Sequence, residues 1–312
     1  MIFDIIGAAA GLVLLALAAD HLVLGASRLT RRLRVTPVVV GVVVIGIGTS
    51  APEFLVSGLA AARGDTGLAV GNIVGSNILN LTLLLGVAAI IAPIPVAARV
   101  IRREVPLAFA GVGFFGLVAV VAGLGPITAA ILAVAGVATL WLLVRWARDG
   151  EAEAGEPTAE PTAEAGRTWI EAVRVTLGLL GVLAGAQLLV DGASAVAANL
   201  GVSQLVIGFT LVALGTSLPE LVTSIQAQRR GESDLVVGNL FGSSLFNSLV
   251  GGAVIGFADD KTAYAGGVLV LTMVLSTGLA WILLRRGLRL TRLDGALLTV
   301  AYALVAPLLL SA

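Results

Sequence analysis

The chain has 312 residues, of which 58% are hydrophobic and 12% are charged, and its formal net charge is zero. A soluble domain carries about 25% charged residues, so this composition excludes a soluble protein and indicates a polytopic membrane protein. The lack of cysteine and the single histidine, His21, exclude disulfides, thiolate metal sites and histidine-rich zinc or iron sites.

Ten apolar runs approach the length of about 20 residues that a bilayer-spanning helix needs. They cover residues 2–25, 37–62, 68–92, 105–123, 126–146, 169–198, 204–227, 235–256, 263–284 and 293–310. Between the fifth and sixth runs, residues 149–167 are rich in Glu, Ala, Pro and Thr and cannot bury a core. The sequence therefore predicts an all-α membrane protein with ten transmembrane helices, in which a flexible acidic linker at 149–167 joins two five-helix units, 1–148 and 168–312.

Basic residues are distributed unevenly between the predicted loops. Of the 19, 17 follow odd-numbered spans, and these loops should face the cytoplasm by the positive-inside rule. This pattern predicts a multi-pass protein of the inner (cell) membrane with both termini outside and the linker in the cytoplasm.

The two predicted units are related by an internal repeat. A shift of 167 residues aligns 25–80 with 192–247 without a gap, and 23 of 56 positions are identical. Because five spans is an odd number, the second copy enters the membrane from the opposite side. Inverted repeats of this kind are typical of secondary transporters, whose two halves meet at a site near the bilayer midplane.

The most polar part of the repeat is GTSAPE at 48–53 and GTSLPE at 215–220. A carboxylate inside a span costs about 2.5–3.5 kcal/mol on insertion scales, and no Lys or Arg lies in either span to pair with it. The proline interrupts the helix and frees a carbonyl group. Hard cations prefer carboxylate, hydroxyl and carbonyl oxygens. The motif therefore predicts a cation site that uses Glu53, Glu220, Thr49, Ser50, Thr216 and Ser217.

A second polar element follows in the next span of each half, as GNIVGSNILN at 71–80 and GNLFGSSLFN at 238–247. Ser76 and Asn80 are four residues apart and share one helix face, and Ser243 and Asn247 repeat this spacing. We predict that these four residues join the site. We interpret the other polar residues of the two elements as structural, namely Asn72, Asn77, Asn239 and Ser244.

Together the four motifs resemble the α-repeats of the sodium/calcium exchangers, in the cation/calcium antiporter superfamily, and the resemblance covers all ten spans. It implies that Glu53 and Glu220 flank a central Ca²⁺, and that the first and sixth helices slide across the rest as a gate. It also implies that further oxygens complete the calcium site and neighbouring sodium sites, here those of Thr49, Ser50, Thr216, Ser217, Ser76, Ser243 and Asn80 and the carbonyls of Gly46 and Ala213.

Asn247, a further candidate ligand, departs from the family pattern because several sodium-driven members carry Asp there. Proton-driven relatives can carry an amide at this position, but they tend to have GNxxE where this chain has GTSxPE. The threonine–serine pair therefore favours sodium, and Asn247 weakens that preference.

We accordingly expect an antiporter that exchanges Ca²⁺ for Na⁺ by alternating access, extrudes calcium, needs no cofactor and binds no nucleic acid. A monomer in the lipid bilayer is sufficient for this function, and the sequence leaves the oligomeric state open. One alternative is the same antiporter coupled to H⁺, with Glu53 or Glu220 carrying the proton. A second alternative is a cation channel, but the polar residues cluster at one depth instead of lining a path. An intramembrane enzyme is not expected, because the chain lacks a nucleophile paired with a base. Asp20, His21 and Asp191 have no repeat counterpart and are candidates for ion access or interface anchoring.

Overall fold

The computed structural model describes residues 1–33, 35–153, 168–201, 213–259 and 262–310, and these residues are almost entirely helical. In chain order the helical segments are α1 Ile2–Leu33, α2 Pro37–Thr49, α3 Ala51–Ala62, α4 Thr66–Ile91, α5 Ala98–Ala122, α6 Pro126–Glu153, α7 Thr168–Asn199, α8 Ala213–Thr216, α9 Leu218–Arg229, α10 Ser233–Ala258, α11 Gly267–Gly287 and α12 Arg292–Leu310. Two short strands, β1 Ile94–Pro95 and β2 Arg289–Leu290, follow α4 and α11.

Within the described residues, seven helices are long and apolar enough to cross a membrane, and the bent pair of α2 and α3 adds an eighth if it forms one span. The chain is therefore a multi-pass integral membrane protein. The predicted seventh span, 204–227, lies partly outside the described residues, and the predicted tenth span corresponds to α12. The count of ten and the opposite orientation of the two halves remain predictions.

The predicted linker at 149–167 is only partly visible in the structure. Helix α6 continues to Glu153, five residues beyond the predicted end of the first unit at 148. Residues 154–167 lie outside the described residues. The division of the chain into two units remains a prediction.

Helices α4 and α10 form the centre of the fold. In their most apolar windows 78% and 83% of residues are buried, compared with 22% in α1 and 33% in α7. Glycines allow close packing around this centre: a Cβ atom on Gly238 of α10 would lie 2.5 Å from the Val38 carbonyl oxygen of α2. The GNxxGS elements therefore lie in the best-protected part of the molecule.

The helical hydrogen-bond pattern changes at the polar motifs of both halves. Residues Asn80–Leu84 of α4 and Asn247–Gly251 of α10 form π-helical turns, which occur often at functional sites. The axes of α2 and α3 differ by 42°, and Ser50 lies between them, two residues before Pro52. Such breaks release backbone carbonyl groups from regular helical pairing.

The chain reverses direction in the same way after each glutamate-bearing helix. Gly64 and Gly231 have φ angles of +78° and +73°, in the left-handed region that glycine adopts at low cost. In each turn one backbone hydrogen bond of 2.9 Å encloses six residues. Asp65 N donates to Ala60 O in the first turn, and Glu232 N donates to Ala227 O in the second. The repeated glycine thus has a conformational reason, because the turn it allows connects each glutamate-bearing helix to α4 or α10.

Helices α1 and α7 pack against each other in antiparallel fashion along most of their length. A Cβ on Gly11 would lie 2.5 Å from the Leu189 backbone nitrogen, and one on Gly185 would lie 2.5 Å from the Leu15 nitrogen. Their low burial places this pair at the outside of the bundle.

Short backbone pairings join loops at opposite ends of α5 and α11. The strands β1 and β2 pair antiparallel, and an isolated bridge joins Leu124 to Ala263. The sequence predicts no strand at these positions. Two residues per strand carry no detectable alternation, and the pairing arises because backbone groups at loop ends need partners.

Candidate cation-binding site

The two glutamates of the repeated motif lie in the interior of the protein. Glu53 is in the first turn of α3 and Glu220 is in the first turn of α9, and both have no exposed surface. Each helix begins with a proline in its first turn, where the missing N–H costs no hydrogen bond. The sequence thus places a carboxylate just after each helix break.

Hydrogen bonds cross between the two motifs. Ser217 Oγ donates to Glu53 Oε1 over 3.0 Å, and Ser50 Oγ donates to Glu220 Oε1 over 3.1 Å. Each serine therefore binds the glutamate of the other half of the chain. This reciprocal arrangement links the two buried carboxyl groups to each other's motifs.

Further oxygens from the motifs lie near these carboxyl groups. The Thr49 hydroxyl lies 3.3 Å from Asn239 Oδ1, and the Ser243 hydroxyl donates to the Gly46 carbonyl over 3.1 Å. Ser243 also lies 3.5 Å from a carboxylate oxygen of Glu220. The Gly46 carbonyl is at the end of a π-helical turn of α2, close to the break predicted to expose it.

The remaining predicted residues, Thr216, Ser76 and Ala213, lie on three different parts of the helices around the site. Thr216 is buried at the end of α8, directly before Ser217. Ser76 is buried on α4, one turn before Asn80. Ala213 begins α8, one turn before the motif, and its side chain lies outside the described residues.

Several buried polar atoms of these residues have no hydrogen-bond partner among the described residues. They are one carboxylate oxygen of each glutamate, Glu53 Oε2 and Glu220 Oε2, and both amide atoms of Asn80 and Asn247. All four residues have no exposed surface. Leaving such a group unpaired costs about 1–3 kcal/mol, and more for a charged group. The unpaired oxygens therefore favour a bound cation as their partner.

The chemistry of this oxygen set also limits the kind of ion. Within the described residues, no three or more His, Cys, Asp or Glu side chains cluster in a way that could hold a metal ion. The candidate site differs from such clusters because it has two carboxylates and otherwise neutral oxygens. Two carboxylates with hydroxyl, amide and carbonyl oxygens suit hard cations such as Ca²⁺ and Na⁺. Soft or imidazole-preferring metals have no matching ligands among the site residues.

Asn72 and Asn239 hold the glutamate-bearing helices in place. The Asn72 amide donates to the Glu53 carbonyl oxygen (3.3 Å) and to the Ser57 hydroxyl (3.0 Å). Asn239 makes the same pair of bonds to Glu220 O (3.2 Å) and to a serine one turn later (3.0 Å). The interpretation of these asparagines as structural agrees with these bonds.

Thr223 is a buried polar residue near the site that sequence reasoning missed. It follows Glu220 by three residues, and its hydroxyl has no partner among the described residues. Its repeat counterpart is Val56, so a search for duplicated polar residues could not identify it.

Two acidic residues without repeat counterparts lie away from the site. Asp20 forms a two-point ion pair with Arg230, with distances of 2.8 and 2.7 Å. Asp191 accepts a hydrogen bond from Gln187, one turn earlier on α7, at 2.8 Å. His21 is exposed on α1. The Asp20 pair connects α1 to the end of α9, which agrees with an anchoring role better than with ion binding.

Comparison with known proteins identifies the family. The family described as "Sodium/calcium exchanger protein" matches residues 3–145 and again residues 171–310. The putative antiporter CaxA of Alkalimonas amylolytica is 37% identical over 305 residues, covering 94% of both chains. The inner membrane protein YrbG of Escherichia coli is 36% identical over 309 residues, covering 93% of this chain and 91% of YrbG.

Solved structures of the sodium-calcium exchanger NCX_Mj have the same fold. One, from crystals soaked with Na⁺ and Sr²⁺, superposes with a TM-score of 0.87 at 32% identity and covers 98% of each chain. Members of this family are antiporters rather than enzymes, so the ions are transported substrates and no cofactor is indicated. The chain belongs to the sodium/calcium exchanger family of membrane antiporters, as the motif resemblance predicted.

Proposed function

We propose that this protein exchanges Ca²⁺ for Na⁺ across the cell membrane by alternating access, and that it extrudes calcium at the expense of the inward sodium gradient. The observation that carries the proposal is the pair of fully buried glutamates, each with an unpaired carboxylate oxygen, linked through reciprocal serine bonds. A divalent cation would satisfy both oxygens and neutralise both charges.

The proposed ligands combine this geometry with the motif resemblance. Glu53 and Glu220 hold Ca²⁺, and the remaining oxygens complete its shell and the neighbouring Na⁺ positions. They come from Thr49, Ser50, Thr216, Ser217, Ser76, Ser243, Asn80, Asn247 and the carbonyls of Gly46 and Ala213. The unpaired amides of Asn80 and Asn247 support this assignment, since a purely structural asparagine would be hydrogen-bonded to a neighbouring helix.

Charge explains why such a site would exchange ions rather than leak them. Two carboxylates without a cation would be two bare charges inside the membrane, which is costly. The empty site should therefore resist the change of access, whereas a site filled with Ca²⁺ or Na⁺ can switch. This energy difference couples the two ions.

The proposed moving parts are α1 and α7, whose contacts with each other are extensive and whose burial in the bundle is low. Such a pair can move across a rigid core without rebuilding it. The proposed orientation places both termini outside and residues 149–167 in the cytoplasm, as the basic residues favour. Neither movement nor exchange requires a second subunit.

The test is ⁴⁵Ca²⁺ uptake into proteoliposomes loaded with Na⁺. Uptake should require internal Na⁺, and should fall to background in Glu53→Gln and in Glu220→Gln. Equal uptake with choline inside would contradict exchange and favour a channel. Uptake that instead needs an outward proton gradient in sodium-free buffer would assign the coupling to H⁺.

A further inference from the structure

A group of arginines is gathered at one end of the spans by the β1–β2 pairing. Pro95 pairs with Arg289, and Val96 N donates to Leu288 O over 2.8 Å. The first residues of α5, Ala98–Arg102, also contact α11. Exposed arginines from two distant parts of the chain thereby share one surface. We call it the arginine face, and it consists of Arg102, Arg285, Arg286, Arg289 and Arg292.

Some other arginines at this end of the molecule are paired with carboxylates. Arg28 and Arg174 both contact Glu171, at 3.4 and 3.2 Å. Arg230 contacts Asp20 at 2.7 Å. These contacts bring two carboxylates to three arginines around α1, α7 and α9.

The arginine face has no such neutralisation within the described part of the chain. None of its five members forms an ion pair there. The nearby Asp294 accepts bonds from the backbone N (2.8 Å) and hydroxyl (2.6 Å) of Thr291. Arg292 reaches only the Ile91 carbonyl, at 3.5 Å. Five positive charges are therefore available to an external anion.

The border of the face is apolar. Leu293 is 79% exposed, Leu288 45% and Ile90 42%. These residues lie at the ends of α4, α11 and α12, where an exposed leucine can enter the lipid tails while arginine guanidinium groups reach the headgroups. An ion dissolved in water would not need this apolar border, but a lipid would match both parts.

The opposite end of α5 and α11 offers an internal comparison. The Leu124–Ala263 bridge joins two loops there in a similar way, yet residues 123–125 and 257–266 contain no arginine. Joining the loops therefore does not require arginine. We propose that the arginine face binds the headgroup of an anionic phospholipid through guanidinium–phosphate contacts, at the membrane surface predicted to be cytoplasmic.

The test compares phosphatidylglycerol with phosphatidylcholine binding to the purified full-length protein by native mass spectrometry. The probe variant is Arg286→Gln/Arg289→Gln. The control is Arg145→Gln/Arg229→Gln, which removes two exposed arginines that also follow odd-numbered predicted spans but are not members of the face. A charge-conserving variant, Arg286→Lys/Arg289→Lys, checks that loss of charge and not misfolding is responsible.

The wild type should prefer phosphatidylglycerol. At about 1 kcal/mol per arginine, the probe variant should bind it roughly thirtyfold more weakly, whereas the control should change less than about threefold. The lysine variant should keep most of the binding. An equal loss in probe and control would overturn the proposal, because it would reflect general surface charge. The proposal would also be overturned if the wild type bound no phosphatidylglycerol and a variant with the five glutamates of residues 149–167 changed to Gln did bind it, because the chain's own acidic segment would then occupy the face.

Discussion

The reciprocal serine–glutamate bonds give a test that depends on the three-dimensional arrangement and not on the motif alone. Ser217 Oγ and Glu53 Oε1 are 3.0 Å apart although the residues are separated by 164 positions. Ser217 is 1% exposed and Glu53 is fully buried. Ser217→Ala therefore removes a buried donor and leaves its acceptor unpaired, which should cost about 1–3 kcal/mol of unfolding free energy.

A double-mutant cycle isolates the bond. Ser217→Ala combined with Glu53→Leu, which has no acceptor, should show a coupling energy of about 1–3 kcal/mol. Ser217→Ala combined with Glu220→Leu, its neighbour within the same motif, should show a smaller coupling. The corresponding crossed pair, Ser50 with Glu220, serves as an independent repeat of the experiment.

The assay is reversible unfolding in micelles, followed by tryptophan fluorescence, with Ca²⁺ chelated and Na⁺ replaced by choline. These conditions measure the protein's own bonds without ion binding. The account is refuted if the pair within one motif couples as strongly as the crossed pair, or if both couplings are below about 0.5 kcal/mol, the limit expected for independent sites.

Three further predictions concern the parts that position and move the site. Asn239→Leu removes two hydrogen bonds that hold the start of α9, so the KM for Ca²⁺ uptake should rise several-fold; an unchanged KM would contradict a positioning role. Asp20→Arg should slow exchange by breaking the pair with Arg230, and adding Arg230→Asp should restore the rate; failure of this charge swap to rescue would show that the pair is unimportant. Gly11→Ala places a Cβ 2.5 Å from a backbone nitrogen of α7 and should destabilise the protein by about 1–3 kcal/mol in thermal unfolding, whereas Gly7→Ala, one turn earlier, meets nothing within 4 Å and should be neutral.

The sequence identified the polar residues of the candidate site because the motif occurs twice. A buried carboxylate is costly, so its duplication beside proline and two hydroxyls indicated function before any contact was known. The family was predicted from the same motifs, and the comparisons confirmed it. The multi-pass helical character followed from apolar run length, and seven spans of the described chain agree with it.

Other features could not be predicted because they depend on distances between remote segments. Nothing in one motif indicates that Ser217 binds Glu53 and not its own Glu220. The Asp20–Arg230 pair joins residues 210 positions apart. Thr223 lacks a polar counterpart in the repeat. The π-helical turns at Asn80 and Asn247 lie in the two most buried helices, and the sequence analysis contains no signal for them.

The most direct measurement of the central claim is anomalous diffraction from crystals soaked with Ca²⁺ or Sr²⁺. The account predicts one strong peak between Glu53 and Glu220, about 2.3–2.6 Å from a carboxylate oxygen of each. The peak should disappear in Glu220→Gln crystals or when Na⁺ replaces the divalent ion. A peak bound by only one of the two glutamates, or located away from both, would contradict the account.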